Sequence, residues 1–131
     1  MGEIIAPGTQ IERWEIEKKL GSGAYGAVRD QTGQYALKVE GVDEKIQVLR
    51  MEVFVLTELM ARGGRHFCKI EDKGRYGNFY YVVMTLVGKS LWELRKARNP
   101  QCFSLACALS VGIQCLEAIE EGKVEQLFGQ G

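Results

Sequence analysis

The hydrophobic period of this chain changes near residue 44, and that change limits the fold more than any other feature. Upstream, Trp14 and Ile16 alternate with Glu15 and Glu17, the two-residue repeat of a strand with one buried face. Residues 27–30 and 35–40 read as two more short strands, with a Thr32-Gly33 turn between them. From 44 to 60 the apolar residues Ile46, Leu49, Val53, Leu56 and Met60 recur every three or four positions, as one face of a helix requires. Gly63-Gly64 ends that helix. Two strands come next, at roughly 67–73 and 79–86, joined by Gly74-Arg75-Tyr76-Gly77-Asn78, which has turn chemistry.

The end of the chain is helical in pattern. Ser90-Leu91-Trp92-Glu93 fits a capping box for a short helix that Asn99-Pro100 stops. Ser104 caps a last helix, in which Leu105, Leu109, Gly112, Leu116 and Ile119 share a face and which Gly122 terminates. Strands that are neighbours in sequence and joined by hairpin turns form antiparallel sheets. The expected class is therefore α+β: a five-stranded antiparallel sheet with one helix, then two further helices. Residues 1–13, with Pro7-Gly8, are expected to be a loose lead-in.

Composition bears on partners. Of 131 residues, 17 are basic and 17 acidic, so there is no charge excess to draw nucleic acid or an anionic membrane. No apolar run approaches the roughly 20 residues of a membrane span. The start lacks the basic-then-apolar pattern of a secretory signal. A soluble, cytoplasmic protein is expected, with the nucleus as the alternative. Cys68, Cys102, Cys107 and Cys115 form no C-x-x-C pair, and the one histidine, His66, is not at ligand spacing with them. No metal site is expected, and the cysteines read as free thiols.

The segment Gly21-Ser22-Gly23-Ala24-Tyr25-Gly26-Ala27-Val28 carries three glycines at the spacing of a phosphate-covering loop. Glycines let backbone N–H groups approach phosphate oxygens closely. Alone, the pattern is also that of a flexible turn. Downstream of it the chain reads as a strand, a turn and another strand, whereas a dinucleotide fold would open a helix there. Tyr35-Ala36-Leu37-Lys38 then places a lysine in an otherwise apolar strand. Such a cation is costly to desolvate without a partner. Glu52, on the margin of the apolar face of the 44–60 helix, is the candidate partner. Lys38 and Glu52 are the candidate catalytic pair, in the arrangement that orients a lysine toward nucleotide phosphates.

Further motifs occur in one consistent order: Leu37-Lys38-Val39-Glu40, Val48-Leu49-Arg50-Met51-Glu52-Val53, Tyr81-Val82-Val83-Met84 and Leu86-x-Gly88-x-x-Leu91-x-x-Leu94. Over about residues 14–121 the chain resembles the casein kinase I group of serine/threonine protein kinases, most closely its tau-tubulin kinase-like branch. The resemblance implies residues 14–87 as a kinase small lobe and hinge, 88–121 as the first two helices of the large lobe, and 122–131 as a divergent tail. It implies ATP as ligand, with Mg²⁺ in complete relatives. Met84 would be the gatekeeper, and Thr85 and Val87 the hinge groups at the adenine edge. Val28 and Ala36 would pack together on one face of the purine, with Leu20 at the pocket mouth.

Kinase chemistry also needs an aspartate near the attacking hydroxyl and another on the metal. The sequence holds three aspartates, Asp30, Asp43 and Asp72, all before the hinge, and neither H-R-D nor D-F-G. A whole kinase domain needs roughly 250–300 residues, near the upper size of a single domain. The 131 residues are therefore expected to be inactive alone. The unpartnered apolar face of helix 105–121 is expected to promote self-association, and a non-catalytic module that holds nucleotide or a partner kinase is the alternative.

Overall fold

The computed structural model describes residues 5–20 and 25–123. The fold is α+β, a curled antiparallel sheet followed by helices, consistent with a kinase small-lobe fragment. The strands are β1 (Gln10–Ile11), β2 (Trp14–Leu20), β3 (Tyr25–Asp30), β4 (Gly33–Gly41), β5 (Ile70–Tyr76) and β6 (Phe79–Thr85). Their order across the sheet is β1-β2-β3-β4-β6-β5. The helices are α1 (Val48–Ala61), α2 (Leu91–Lys96) and α3 (Leu105–Glu121). Two units divide the chain: Met1–Thr57 with Cys68–Leu86, and Glu58–Phe67 with Val87–Gly131.

The first unit holds the sheet. It has six strands rather than five, because the lead-in is ordered where it is described. Ile5 and Ile11 are buried, and β1 pairs with β2. Gly8 N–H donates to Ile16 O at 2.8 Å, and Ile16 N–H donates to Thr9 O at 2.9 Å. The two isoleucines join a cluster with Trp14, Ile16, Val28, Leu37, Val39, Tyr81 and Val83 on one sheet face. Burial of this kind outweighs the entropy of ordering a short segment. Trp14 sits at the centre, its ring edge-on to Tyr35 with centroids 5.2 Å apart. Its Nε1–H donates to Asp72 Oδ2 at 2.8 Å, so its polar atom is satisfied. Close packing here needs a glycine at position 74, since a Cβ there would lie 2.8 Å from the Tyr81 hydroxyl.

The opposite face carries a second cluster of Ala36, Leu49, Val82 and Met84, with Val53, Leu56, Ile70, Tyr80 and Leu86 packed against it. Leu49, Val53 and Leu56 come from α1, as the three- and four-residue spacing predicts. The helix starts at Val48, later than that spacing suggests, and Ile46 is exposed. Residues 42–47 form a turn instead, with Glu44 N–H donating to Gly41 O at 3.2 Å.

In the second unit, the last turn of α1 ends at Gly63, whose φ of 74° is open to glycine but strained for other residues. Gly64 N–H donates to Leu59 O at 2.8 Å and Gly63 N–H to Met60 O at 3.0 Å, a Schellman closure. The α2 capping box forms: Glu93 N–H donates to Ser90 Oγ, and Ser90 N–H to Glu93 Oε1. Ser104 Oγ accepts from Cys107 N–H at the start of α3. Leu105, Leu109, Ile113, Leu116 and Ile119 of α3 are exposed. His66 lies between two α3 carboxylates, Nδ1 at 2.9 Å from Glu121 and Nε2 at 3.1 Å from Glu117. No helix among the described residues is long and apolar enough to cross a membrane.

Candidate functional site

Alternation along β4 sets Ala36, Lys38 and Glu40 on the face that α1 covers, and Tyr35, Leu37 and Val39 on the Trp14 face. On the α1 face, Lys38 Nζ donates to Glu52 Oε2 at 2.6 Å. The two side chains are 25% and 29% exposed, so the ion pair is half-buried rather than fully hydrated. A charge-assisted contact this short is among the stronger hydrogen bonds available to a side chain. Burial works against the Lys38 charge, but the Glu52 hydrogen bond, with help from Tyr25, outweighs it. The Lys38 pKa therefore lies above its usual 10.5. Tyr25 is the direct cross-strand neighbour of Lys38, and its ring centroid lies 5.0 Å from Nζ.

Met84 pairs with Ala36 across β4 and β6, and the two side chains share the cluster beneath α1. Thr85 ends β6. Its N–H donates to Lys69 O at 3.0 Å, and its hydroxyl accepts from Lys69 N–H at 2.9 Å. Leu20 closes β2, half-buried and opposite Tyr25. Val87 falls in the second unit and is exposed. Gly21, Ser22, Gly23 and Ala24 lie outside the described residues. Gly26 lies on the Trp14 side, where a Cβ would approach Lys18 O and Ile16.

One expectation is corrected. Val28 and Ala36 do not share a face. In the β3–β4 register Ala27 is opposite Ala36, while Val28 is opposite Tyr35 and buried in the Trp14 cluster. The cause is the two-residue turn at Gln31-Thr32, which pairs Asp30 with Gly33. Asp30 Oδ1 accepts from Thr32 N–H at 2.7 Å and so braces the turn. The residue that joins Ala36 and Lys38 on their face is Ala27. The glycine motif does not single it out, but counting strand parity back from the turn does.

Glu40, which belongs to the Leu37-Lys38-Val39-Glu40 motif, has a defined task of its own. Its Oε2 accepts from Leu49 N–H, at the start of the helix that carries Glu52, at 3.0 Å.

The small Ala27 and Ala36 beside a half-buried cation suit a flat base attached to an anionic group. Two of the three aspartates are engaged within the sheet, Asp30 with Arg13 and Thr32, and Asp72 with Trp14. Among the described residues no three His, Cys, Asp or Glu side chains group to hold a metal ion.

No protein-family model matches the chain. A probable serine/threonine-protein kinase of Dictyostelium discoideum is 38% identical over 122 residues, covering 88% of this chain and 24% of the relative. A putative serine/threonine-protein kinase of Caenorhabditis elegans is 33% identical, covering 84% of this chain and 33% of the relative. The serine/threonine-protein kinase spe-6 of the same organism is 31% identical, covering 92% of this chain and 33% of the relative. The chain thus spans about a quarter to a third of the length of these curated relatives. The matches support a protein-kinase relationship over most of the chain.

Proposed function

We propose that the chain is the ATP-binding N-terminal part of a serine/threonine protein kinase domain of casein kinase I type. The observation that carries this reading is the 2.6 Å contact between Lys38 and Glu52, made on the sheet face that also presents Ala27, Ala36 and Met84. Half-burial makes the ammonium a strong attractor for phosphate oxygens, and Glu52 limits its orientations. The base would lie against Ala27 and Ala36 and stop at Met84. Thr85 would present its backbone carbonyl to its edge. Residues 21–24 with Tyr25 and Gly26 would cover the phosphates, and Leu20 would shield the mouth.

In complete relatives such a domain transfers the γ-phosphate of ATP to a protein serine or threonine, with Mg²⁺ neutralising charge between the phosphates. The 131 residues on their own are proposed to be inactive, because no aspartate follows Asp72 in the sequence. The cytoplasm, with the nucleus as the alternative, is the proposed location, and self-association is proposed through the exposed α3 face.

The test is a melting experiment with ATP, with and without Mg²⁺, on the 131-residue chain and on Lys38→Met. Stabilisation that rises with ATP and is lost in Lys38→Met is expected. No ATP-dependent shift in the parent chain would overturn nucleotide binding. Phosphorylation of casein above the Lys38→Met control would overturn inactivity.

A further inference from the structure

The helix that carries Glu52 starts without a cap of its own. Lys45, Ile46 and Gln47 precede Val48, none of them a capping residue, and the first turn of α1 holds no acidic side chain. The first amides of a helix need acceptors, and its N-terminus favours negative charge. Strand β4 supplies both through Glu40, whose Oε2 takes the Leu49 N–H at 3.0 Å. Gln47 adds a tie on the other side of the junction, with Nε2 donating to Glu44 O at 2.8 Å.

The positions matter as much as the bond. Glu40 lies two residues past Lys38 on the same face of β4, and Leu49 lies about one turn before Glu52 on α1. One strand face therefore grips successive turns of one helix: Glu40 through the Leu49 backbone, Lys38 through the Glu52 side chain. Leu49, Val53 and Leu56 add an apolar attachment to this part of α1. Apolar contact is non-directional and tolerates rotation of a helix on a sheet, whereas a hydrogen bond does not.

We infer that Glu40 is a positioning residue that fixes the rotation and height of α1, and so keeps the Glu52 carboxylate on the Lys38 ammonium. A second observation supports this over a purely stabilising role. Glu40 Oε1 is buried with no protein hydrogen-bond partner among the described residues, and Gln47 Oε1 at the same junction shares that condition. A buried acceptor without a donor costs stability, so an apolar side chain of the same shape would serve packing as well or better. What such a side chain lacks is an acceptor aimed at the helix amide. The functional consequence rests on the reading of Lys38 and Glu52 as the phosphate-binding pair, but the geometric claim does not.

The experiment compares Glu40→Met with Glu40→Gln, which match in shape and differ in the acceptor oxygen. Two readouts need no nucleotide: the alkaline titration of Lys38, followed by its acetylation rate with acetic anhydride, and exchange of the Leu49 amide. The charged groups facing Lys38 are Glu52 from α1 and the Tyr25 phenol from β3. If Glu52 withdraws, only Tyr25 is left to oppose the effect of burial on Lys38. In Glu40→Met, Lys38 acetylation should rise by roughly tenfold for each pKa unit lost, and Leu49 exchange should quicken. Glu40→Gln should stay near the parent in both. Val39→Ala, which loosens the opposite sheet face, should leave Lys38 as it was. Glu40→Met behaving as the parent would overturn the inference. So would equal changes in both variants, which would trace the effect to lost charge beside Lys38, or an equal change in Val39→Ala, which would trace it to general loosening. A chain that never binds ATP could still pass this test, and one that binds ATP could fail it.

Discussion

Exchanging roles between Val28 and Ala27 tests the register on which the site depends. Val28 is fully buried among Trp14, Ile16 and Leu37. Truncation to alanine removes two carbons from that cluster, worth about 0.8 kcal/mol each in transfer free energy. The cavity left behind adds about 0.5–1.5 kcal/mol, for a total of about 2–3 kcal/mol. In a chain this size that corresponds to a fall in Tm of roughly 8–12 °C. Nucleotide-dependent stabilisation should survive, because the side chain points away from Lys38. Ala27→Val adds the same two carbons on the Lys38 face, where Ala27 is already buried. Overpacking should cost about 1–2 kcal/mol, and the ATP-induced shift should shrink or vanish. Urea denaturation and thermal melting with ATP measure both. A loss below about 0.5 kcal/mol for Val28→Ala, well under the transfer free energy of the two carbons, together with loss of the ATP response would refute the register. It would put Val28 beside Ala36, as the motif alone suggests.

Three further outcomes are expected. Gly74→Ala would drive a Cβ to 2.8 Å from the Tyr81 hydroxyl, and should cost about 1–3 kcal/mol in urea denaturation, relieved when Tyr81 is shortened to Leu. The hydrogen bond from His66, and then the Arg65 and His66 amides, hold the Glu121 carboxyl below its usual 4.5. A lowered folded pKa gives stability that is present above 4.5 and lost as pH falls through the folded value, so Glu121→Gln should flatten the acid limb of a melting-versus-pH curve. An unchanged limb would count against the His66 contact. Lys38 has the opposite sign: its contribution is complete below 10.5 and lost as pH rises through the raised folded value, so Lys38→Met should flatten the alkaline limb.

Much of the fold is legible in the sequence because its signals are local. Ser90 with Glu93, and Ser104, announce helix starts by their own side chains, and both helices begin there. The spacing of Leu49, Val53 and Leu56 reports the buried face of α1 without reference to anything distant. Lys38 and Glu52 are legible for a different reason. A lysine in an apolar strand and a glutamate on the margin of an apolar helix face each need a partner, and one contact supplies both. Other features depend on partners far along the chain. The burial of Ile5 and Ile11 is decided by the Trp14 cluster, which draws on β3, β4 and β6. The start of α1 is set by a strand residue, Glu40, so a search for caps next to the helix could not find it.

Val28 shows why a motif can name the right strand and the wrong face. The glycine pattern specifies residue types along β3, but a strand's two faces alternate with a period of two, so one residue of slip moves every side chain across the sheet. The competing register would place Val28 opposite Ala36 and bring Ala27 opposite Leu37. That would leave an alanine at the centre of the Trp14 cluster and a valine beside the charged Lys38. The observed register does the reverse, setting Val28 against both Ile16 and Tyr35. Core burial and the Asp30-braced turn therefore select the same pairing. The Lys38 face inherits its composition from that selection: two alanines face each other beside Lys38 and Glu52. The short side chains on that face are thus a by-product of where the core needed its larger one.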